Sequence, residues 1–282
     1  MFLITSKSMK IHYAVLLLAS SSLLTGCFES RKNTDQVCSS EPGLECSSLN
    51  VNDGQCRIAR TDLIWHRYET LDTFTEPSQI EEFYLLREYR KCLELASQIQ
   101  PIEQAALKEK RFNALVYAID EQMRIQTKLM SSTKPETLYF LWSETGNTMA
   151  KRRFLAMEGD AALETAAMQY ALATYYISRD KLKTHELLVH SLELSSDGNI
   201  NTDALKSLAS VNYTLSRPRE SYLWTMVGKQ FNIPIVSDNE LKRLFALNHD
   251  EYRQLDEQAE AIVSSLESGA FNRSQSLTTL SN

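Results

Sequence analysis

Asp160-Ala161-Ala162-Leu163-Glu164-Thr165-Ala166-Ala167-Met168-Gln169-Tyr170-Ala171-Leu172-Ala173-Thr174-Tyr175-Tyr176-Ile177-Ser178-Arg179 is the stretch that decides the fold class. It is apolar nearly all the way round a 3.6-residue period, which marks a helix packed on several sides. Asp160 sits where such a helix needs an N-cap, so the expected span is Ala161 to Arg179. The alanines let neighbouring helices approach closely.

Outward from this stretch the period stays helical from about residue 60 to 268. Ser78-Gln79-Ile80-Glu81 reads as a capping box opening a helix to about Gln98. Pro101 suits the first turn of a helix to about Met130, in which Ala105, Phe112, Leu115, Ile119, Met123, Gln126 and Met130 form one mostly apolar stripe. Pro135 opens another helix. Asn147 caps the next, which Gly159 ends, and a further helix runs to about Ser195. Asp197-Gly198-Asn199 is a turn, Thr202 caps a helix and Pro218 begins one. Ser237-Asp238-Asn239-Glu240 and Asn248-His249-Asp250-Glu251 are two more capping boxes, and Gly269 stops the last helix. With only 8 Gly and 6 Pro in 282 residues, the composition favours helix over a turn-rich β fold. The expectation is an all-α body of antiparallel helical hairpins over 59–268, with a flexible tail at 269–282.

The N-terminus has the parts of a secretory leader. Lys7 and Lys10 precede an apolar stretch, Tyr13 to Leu24, too short to span roughly 30 Å of hydrocarbon as a helix. Leu24-Thr25-Gly26-Cys27 follows and resembles the lipobox of bacterial lipoprotein precursors. That resemblance implies a signal peptide over 1–26, starting at Met1 or Met9, and lipid on Cys27 as first mature residue. Several acyl chains make such an anchor effectively permanent. Phe28 in place of Asp after the anchor implies the outer membrane, facing the periplasm. Loss of Lys7 and Lys10 takes the net charge from −6 to −8, which argues against nucleic acid as a partner.

Residues 27–58 read as a polar tether with disulfide-tied loops. Cys38, Cys46, Cys56 and Cys92 remain after the anchor, an even number in an oxidising compartment. They admit three connectivities, of which Cys38–Cys46 with Cys56–Cys92 is favoured. No C-x-x-C pair is present, so neither zinc nor a redox motif is expected. No cofactor is expected.

Tyr175-Tyr176-Ile177-Ser178-Arg179-Asp180 recurs as Asn212-Tyr213-Thr214-Leu215-Ser216-Arg217-Pro218, each joining two helical patterns. Residues 160–232 thereby resemble a degenerate, right-handed tetratricopeptide array, although no Pro closes the unit near residue 197. Leu138 to Asn147, Met157-Glu158-Gly159, Met168 to Tyr176 and Ser207 to Tyr213 are similar to an uncharacterised lipoprotein family of marine gammaproteobacteria, catalogued only as a domain of unknown function. That resemblance implies an outer-membrane helical lipoprotein and no activity.

Catalytic constellations are weak. His185 and His190 are five apart, about 140° around a helix, and cannot share a metal as a zincin pair does. Glu144, with Glu158 and Asp160 nearby in sequence, is the best lone acid for a peptidoglycan-cleaving enzyme, but nothing fixes a two-carboxylate geometry. Most aromatics fall at helical spacing and are expected in the core. Tyr213, Tyr222 and Trp224 are the candidates to line a peptide groove. The expected function is a non-enzymatic, protein-binding helical scaffold held at the membrane through Cys27, its partner a periplasmic or outer-membrane protein. The alternative is the hydrolase with Glu144 as acid.

Overall fold

The computed structural model of the chain describes residues 32–100, 105–196 and 198–276. The leader, Cys27, Phe28, Pro101, Asp197 and the end of the tail lie outside the described residues. Among the described residues the fold is all-α, built from helices packed in antiparallel pairs, with no strand. No helix among them is long and apolar enough to cross a membrane. The chain divides into two compact units, residues 1–122 and 123–282.

The first unit holds α1 (Thr34–Ser40), α2 (Arg57–Glu69), α3 (Glu76–Ala96) and most of α4 (Ala105–Leu129). The cysteine-bearing segment, expected as tether and loops, folds onto these helices. Asn33 and Gln36 form a capping box for α1, and Val37, Leu44 and Leu49 are buried. Cys38 pairs with Cys46 and Cys56 with Cys92, so the second bridge ties the start of α2 to α3. Arg60 on α2 donates to the carbonyls of Asn50 (2.7 Å) and Asp53 (3.0 Å). Asp53 in turn accepts two bonds from Arg111 on α4. Arg67 donates to Glu82 (2.7 Å) and to the Tyr117 hydroxyl (2.8 Å). Burial pushes the Tyr89 phenol up to about 12, and its hydroxyl donates to Asn50 at 2.6 Å. Buried charges of this kind persist only when paired.

Two expectations about helices in this unit are corrected. The cap of α3 is Thr75, not Ser78: Thr75 accepts from the Ser78 amide, and Ser78 Oγ accepts from the Thr75 amide. Pro77, which lacks an N–H, then falls in the first turn where none is needed. On α4 the buried positions are Arg111, Ala114, Ala118, Gln122, Ile125 and Leu129. The apolar stripe read from the sequence lies on another face. Arg111 and Gln122 can be buried because Asp53 and the Phe83 carbonyl satisfy them, and the alanines permit close packing.

The second unit holds α5 (Pro135–Thr145), α6 (Thr148–Leu155), α7 (Ala166–Tyr176), α8 (Lys181–Glu193), α9 (Thr202–Thr214), α10 (Pro218–Gln230), α11 (Asp238–Phe245) and α12 (His249–Glu267). α5 pairs with α6, α7 with α8 and α9 with α10, while α8 packs on α9 and α10 on α12. The stretch from Asp160 is not one helix. Ala161–Leu163 is a single 3-10 turn, and α7 starts only after Thr165, whose hydroxyl accepts from the Met168 amide. Glu164 breaks the helical path between them. Asn201 rather than Thr202 caps α9. The boxes at Ser237/Glu240 and Asn248/Glu251 form, and Gly269 takes the left-handed conformation after α12.

The main core of this unit gathers Leu188, Leu192, Leu205, Leu208, Leu223, Trp224, Val227, Leu255, Ile262 and Leu266. A second aromatic group sets half-buried Trp142, Tyr175 and Tyr176 around fully buried Phe154. Trp142 meets Phe154 and Tyr175 at ring-centre distances of 5.8 and 5.9 Å, and Tyr175 meets Tyr176 at 5.0 Å. Arg179 lies 4.2 Å from the Tyr175 ring centre and Lys183 4.1 Å from that of Tyr176, so cations roof the rings.

Candidate functional site

The second unit carries an apolar groove of about 450 Å³, in the size range of small-ligand sites. Three helices and one non-helical segment make it. On α9, Lys206, Ser210 and Tyr213 recur at helical spacing along one wall, with Leu205 and Ala209 beside them. On α10, Ser221, Trp224, Thr225 and Gly228 form the next face. Leu241, Leu244 and Phe245 of α11 and the segment Ile233–Val236 complete it.

Each wall has a local cause. Ser221 Oγ donates to the Ala209 carbonyl at 2.8 Å, pinning α10 against α9. Gly228 lets the chain return close to α10. A Cβ there would meet Ile233 Cδ1 at 3.0 Å, and the Ile233 amide donates to the Gly228 carbonyl. Pro234 keeps that segment out of a helix. α11 is held by its capping box and buries Leu241 and Phe245 while leaving Leu244 exposed.

Tyr213 is 54% exposed and Val236 and Leu244 are exposed too, so large apolar side chains cluster at the groove. Such clustering marks interaction sites more often than scattered apolar residues do. Trp224 is 1% exposed and its indole nitrogen has no hydrogen-bond partner. Lys206 is the one charged residue in the lining, and its ammonium touches Asp203 at 2.9 Å on the surface.

The structure brings Tyr213 and Trp224 together and separates Tyr222 from them. Tyr222 lies on another face of α10, its ring packed on Phe245 and Tyr252 and its hydroxyl donating to Asp256 at 2.8 Å. Two residues apart on a helix is about 200°, so Tyr222 and Trp224 cannot share one groove. Ile233–Val236 and the α11 face were not anticipated as site residues. An apolar run broken by Pro, next to a strongly amphipathic helix, is the signal that was passed over.

The other candidates are not assembled into a reactive centre among the described residues. Glu144 is exposed at the end of α5. Burial raises the Glu158 pKa, but Lys183 and the Tyr176 hydroxyl outweigh it and hold the carboxyl below its ordinary range. A general acid needs the opposite shift. His185 and His190 face apart. Burial, then Arg217, lowers the His185 pKa, whereas His190 contacts Glu164 (2.8 Å) and Glu193 (3.3 Å). No group of three metal-ligating side chains occurs among the described residues.

The family described as Protein of unknown function (DUF2989) matches residues 24–226. The chain belongs to this family. The matched residues include Cys38, Cys46, Cys56 and Cys92, all of α9 and most of α10, and stop short of Ile233–Val236 and α11. No curated protein matches the chain, and no solved structure does.

Proposed function

We propose that this DUF2989 protein is a non-enzymatic binding lipoprotein of the bacterial envelope. In this reading Cys27 carries the lipid and holds the body on the outer membrane, facing the periplasm. The second unit takes an apolar segment of a partner protein into the groove formed by α9, α10 and α11. The observation that carries the reading is the groove itself: an apolar floor including Trp224, exposed Tyr213, Val236 and Leu244 around it, and a single cation, Lys206. Helices and extended peptides dock into such grooves by placing apolar side chains at regular spacing. The successive hairpins α7–α8 and α9–α10, joined by α8 packing on α9, are the arrangement expected of a tetratricopeptide-like array.

Co-isolation from detergent-solubilised envelopes tests the reading. Tyr213→Ala and Leu244→Glu alter exposed side chains, so both variants are expected to fold and to lose the partner that the unaltered protein retains. Retention of the same partner by both variants would overturn the groove as the binding site. Anchoring is tested separately: Cys27→Ala is expected to move the protein from the membrane to the soluble fraction.

A further inference from the structure

Among the described residues of the first unit, Arg60, Arg67 and Arg111 are buried arginines. Two of them hold a carboxylate on Nε. Arg67 Nε donates to Glu82 at 2.7 Å, and Arg111 takes both oxygens of Asp53 with Nε and Nη2. Arg60, on α2, is 7% exposed and differs. Its hydrogen bonds all leave from Nη1, to the carbonyls of Asn50, Asp53 and Gln55 and to the Asn50 side-chain oxygen. Asp53 offers it only a backbone carbonyl, because the Asp53 carboxylate is turned to Arg111. Among the described residues no carboxylate pairs with Arg60, and no acceptor meets its Nε or Nη2. Buried charges are ordinarily paired, and a guanidinium fork suits a carboxylate taken side-on.

Arg60 lines a polar cavity of about 560 Å³ between α1 and the start of α2, within the size range of small-ligand sites. Arg57 lines it too, one helical turn before Arg60. The start of α2 adds to the positive field at this end. Its N-cap, Cys56, is tied in a disulfide, and no side chain caps the helix. The remaining charged residues of the lining are Asp35 and Asp62, both exposed.

We infer that this cavity binds a small aminocarboxylic acid. Its carboxylate lies on the Nε and Nη2 edge of Arg60, reinforced by Arg57 and the start of α2, and its ammonium lies beside Asp35 and Asp62. A guanidinium accepts phosphate as readily as carboxylate. Here the two aspartates decide between them, because they repel a further negative charge and attract a positive one. A wall of two cations and two anions matches a ligand with one charge of each sign.

Calorimetric titration of the full chain in detergent tests the inference. The probes are L-alanine and γ-aminobutyrate as aminocarboxylates, propionate as a carboxylate without an amine, and inorganic phosphate. At least one aminocarboxylate is expected to bind about threefold or more tightly than propionate, and phosphate no more tightly than propionate. No binding of either aminocarboxylate, propionate binding as tightly as both, or phosphate binding tightest overturns the inference. Replacing Arg60 would also remove its bonds to the 50–55 backbone, so the variant is Arg57→Glu. It sets a carboxylate one turn before Arg60, where an acid also suits a helix start. Arg57→Glu is expected to melt no lower than the unaltered protein and to lose aminocarboxylate binding; unchanged binding overturns the inference. Asp35→Asn/Asp62→Asn is expected to erase the preference over propionate, and an unchanged preference overturns the placement of the ammonium. Tyr213→Ala is expected to bind as the unaltered protein does, because the cavity does not depend on the groove in the second unit.

Discussion

Asp53 and Arg111 face each other at 2.5 Å although 58 residues separate them in the chain, and both are buried. The pair fastens the cysteine-bearing segment to α4 within the first unit. Removing one partner from a buried pair leaves the other charge uncompensated, at a cost of about 3–5 kcal/mol. Arg111→Met is therefore expected to lower urea stability by that amount. A loss under about 1 kcal/mol would mean that water reaches Asp53.

The same contact fixes an acid response. Burial raises the Asp53 pKa, but the bonds from Arg111, the Gln55 amide and Asn50 outweigh it and lower the carboxyl from 3.8 to about 2. Glu193, held chiefly by Arg273, drops from 4.5 to about 2. A carboxyl with a folded pKa below its unfolded one stabilises fully above the unfolded value and loses that contribution as pH falls through the folded one. Melting temperature is expected to be flat above about pH 5 and to fall between about pH 4 and 2. Asp53→Asn is expected to melt lower at neutral pH and to show a shallower acid limb. An acid limb as steep as that of the unaltered protein would exclude Asp53 as a source of it.

The Cys56–Cys92 bridge closes a loop of 36 residues and Cys38–Cys46 one of 8. Loop-closure entropy makes the longer bridge worth about 3–4 kcal/mol and the shorter one less. Cys56→Ser/Cys92→Ser is expected to destabilise the first unit more than Cys38→Ser/Cys46→Ser in denaturant unfolding. The reverse order would show that the shorter bridge acts through native contacts around Val37 and Leu44 rather than through loop closure.

Three helix starts were legible from a side chain that acts on its own backbone. Asn147, Ser237 with Glu240, and Asn248 with Glu251 cap as their spacing requires. Thr75 and Thr165 were missed because another capping residue stands nearby, and only the path of the neighbouring chain selects between them. The buried face of α4 was illegible for a different reason. Arg111 and Gln122 look like surface residues until Asp53 and the Phe83 carbonyl are brought to them by tertiary contacts. Of the groove, Tyr213 and Trp224 could be read from the sequence. Tyr222 was drawn in by proximity in sequence, although helix geometry alone sets it on another face. The wall from Ile233 to Val236 depends on Gly228 admitting the returning chain, a contact no period reveals.

Tyr213 and Trp224 share the groove but differ in what they hold up. Trp224 is core, packed edge-on to Phe271 at 6.0 Å, so Trp224→Ala is expected to cost about 3–5 kcal/mol in thermal unfolding. Tyr213 is exposed, and Tyr213→Ala is expected to stay within about 0.5 kcal/mol of the unaltered protein. Equal losses would place Tyr213 in the core as well.

The most direct measurement is photocross-linking in intact cells, with a photoreactive residue at Tyr213 or, as control, at exposed Arg253 on α12. Docking of a partner in the groove is expected to give a discrete protein adduct from Tyr213 that is absent from Arg253 and disappears when Leu244→Glu is added to the same chain. Adducts that are identical at both positions, or that persist with Leu244→Glu, would contradict it.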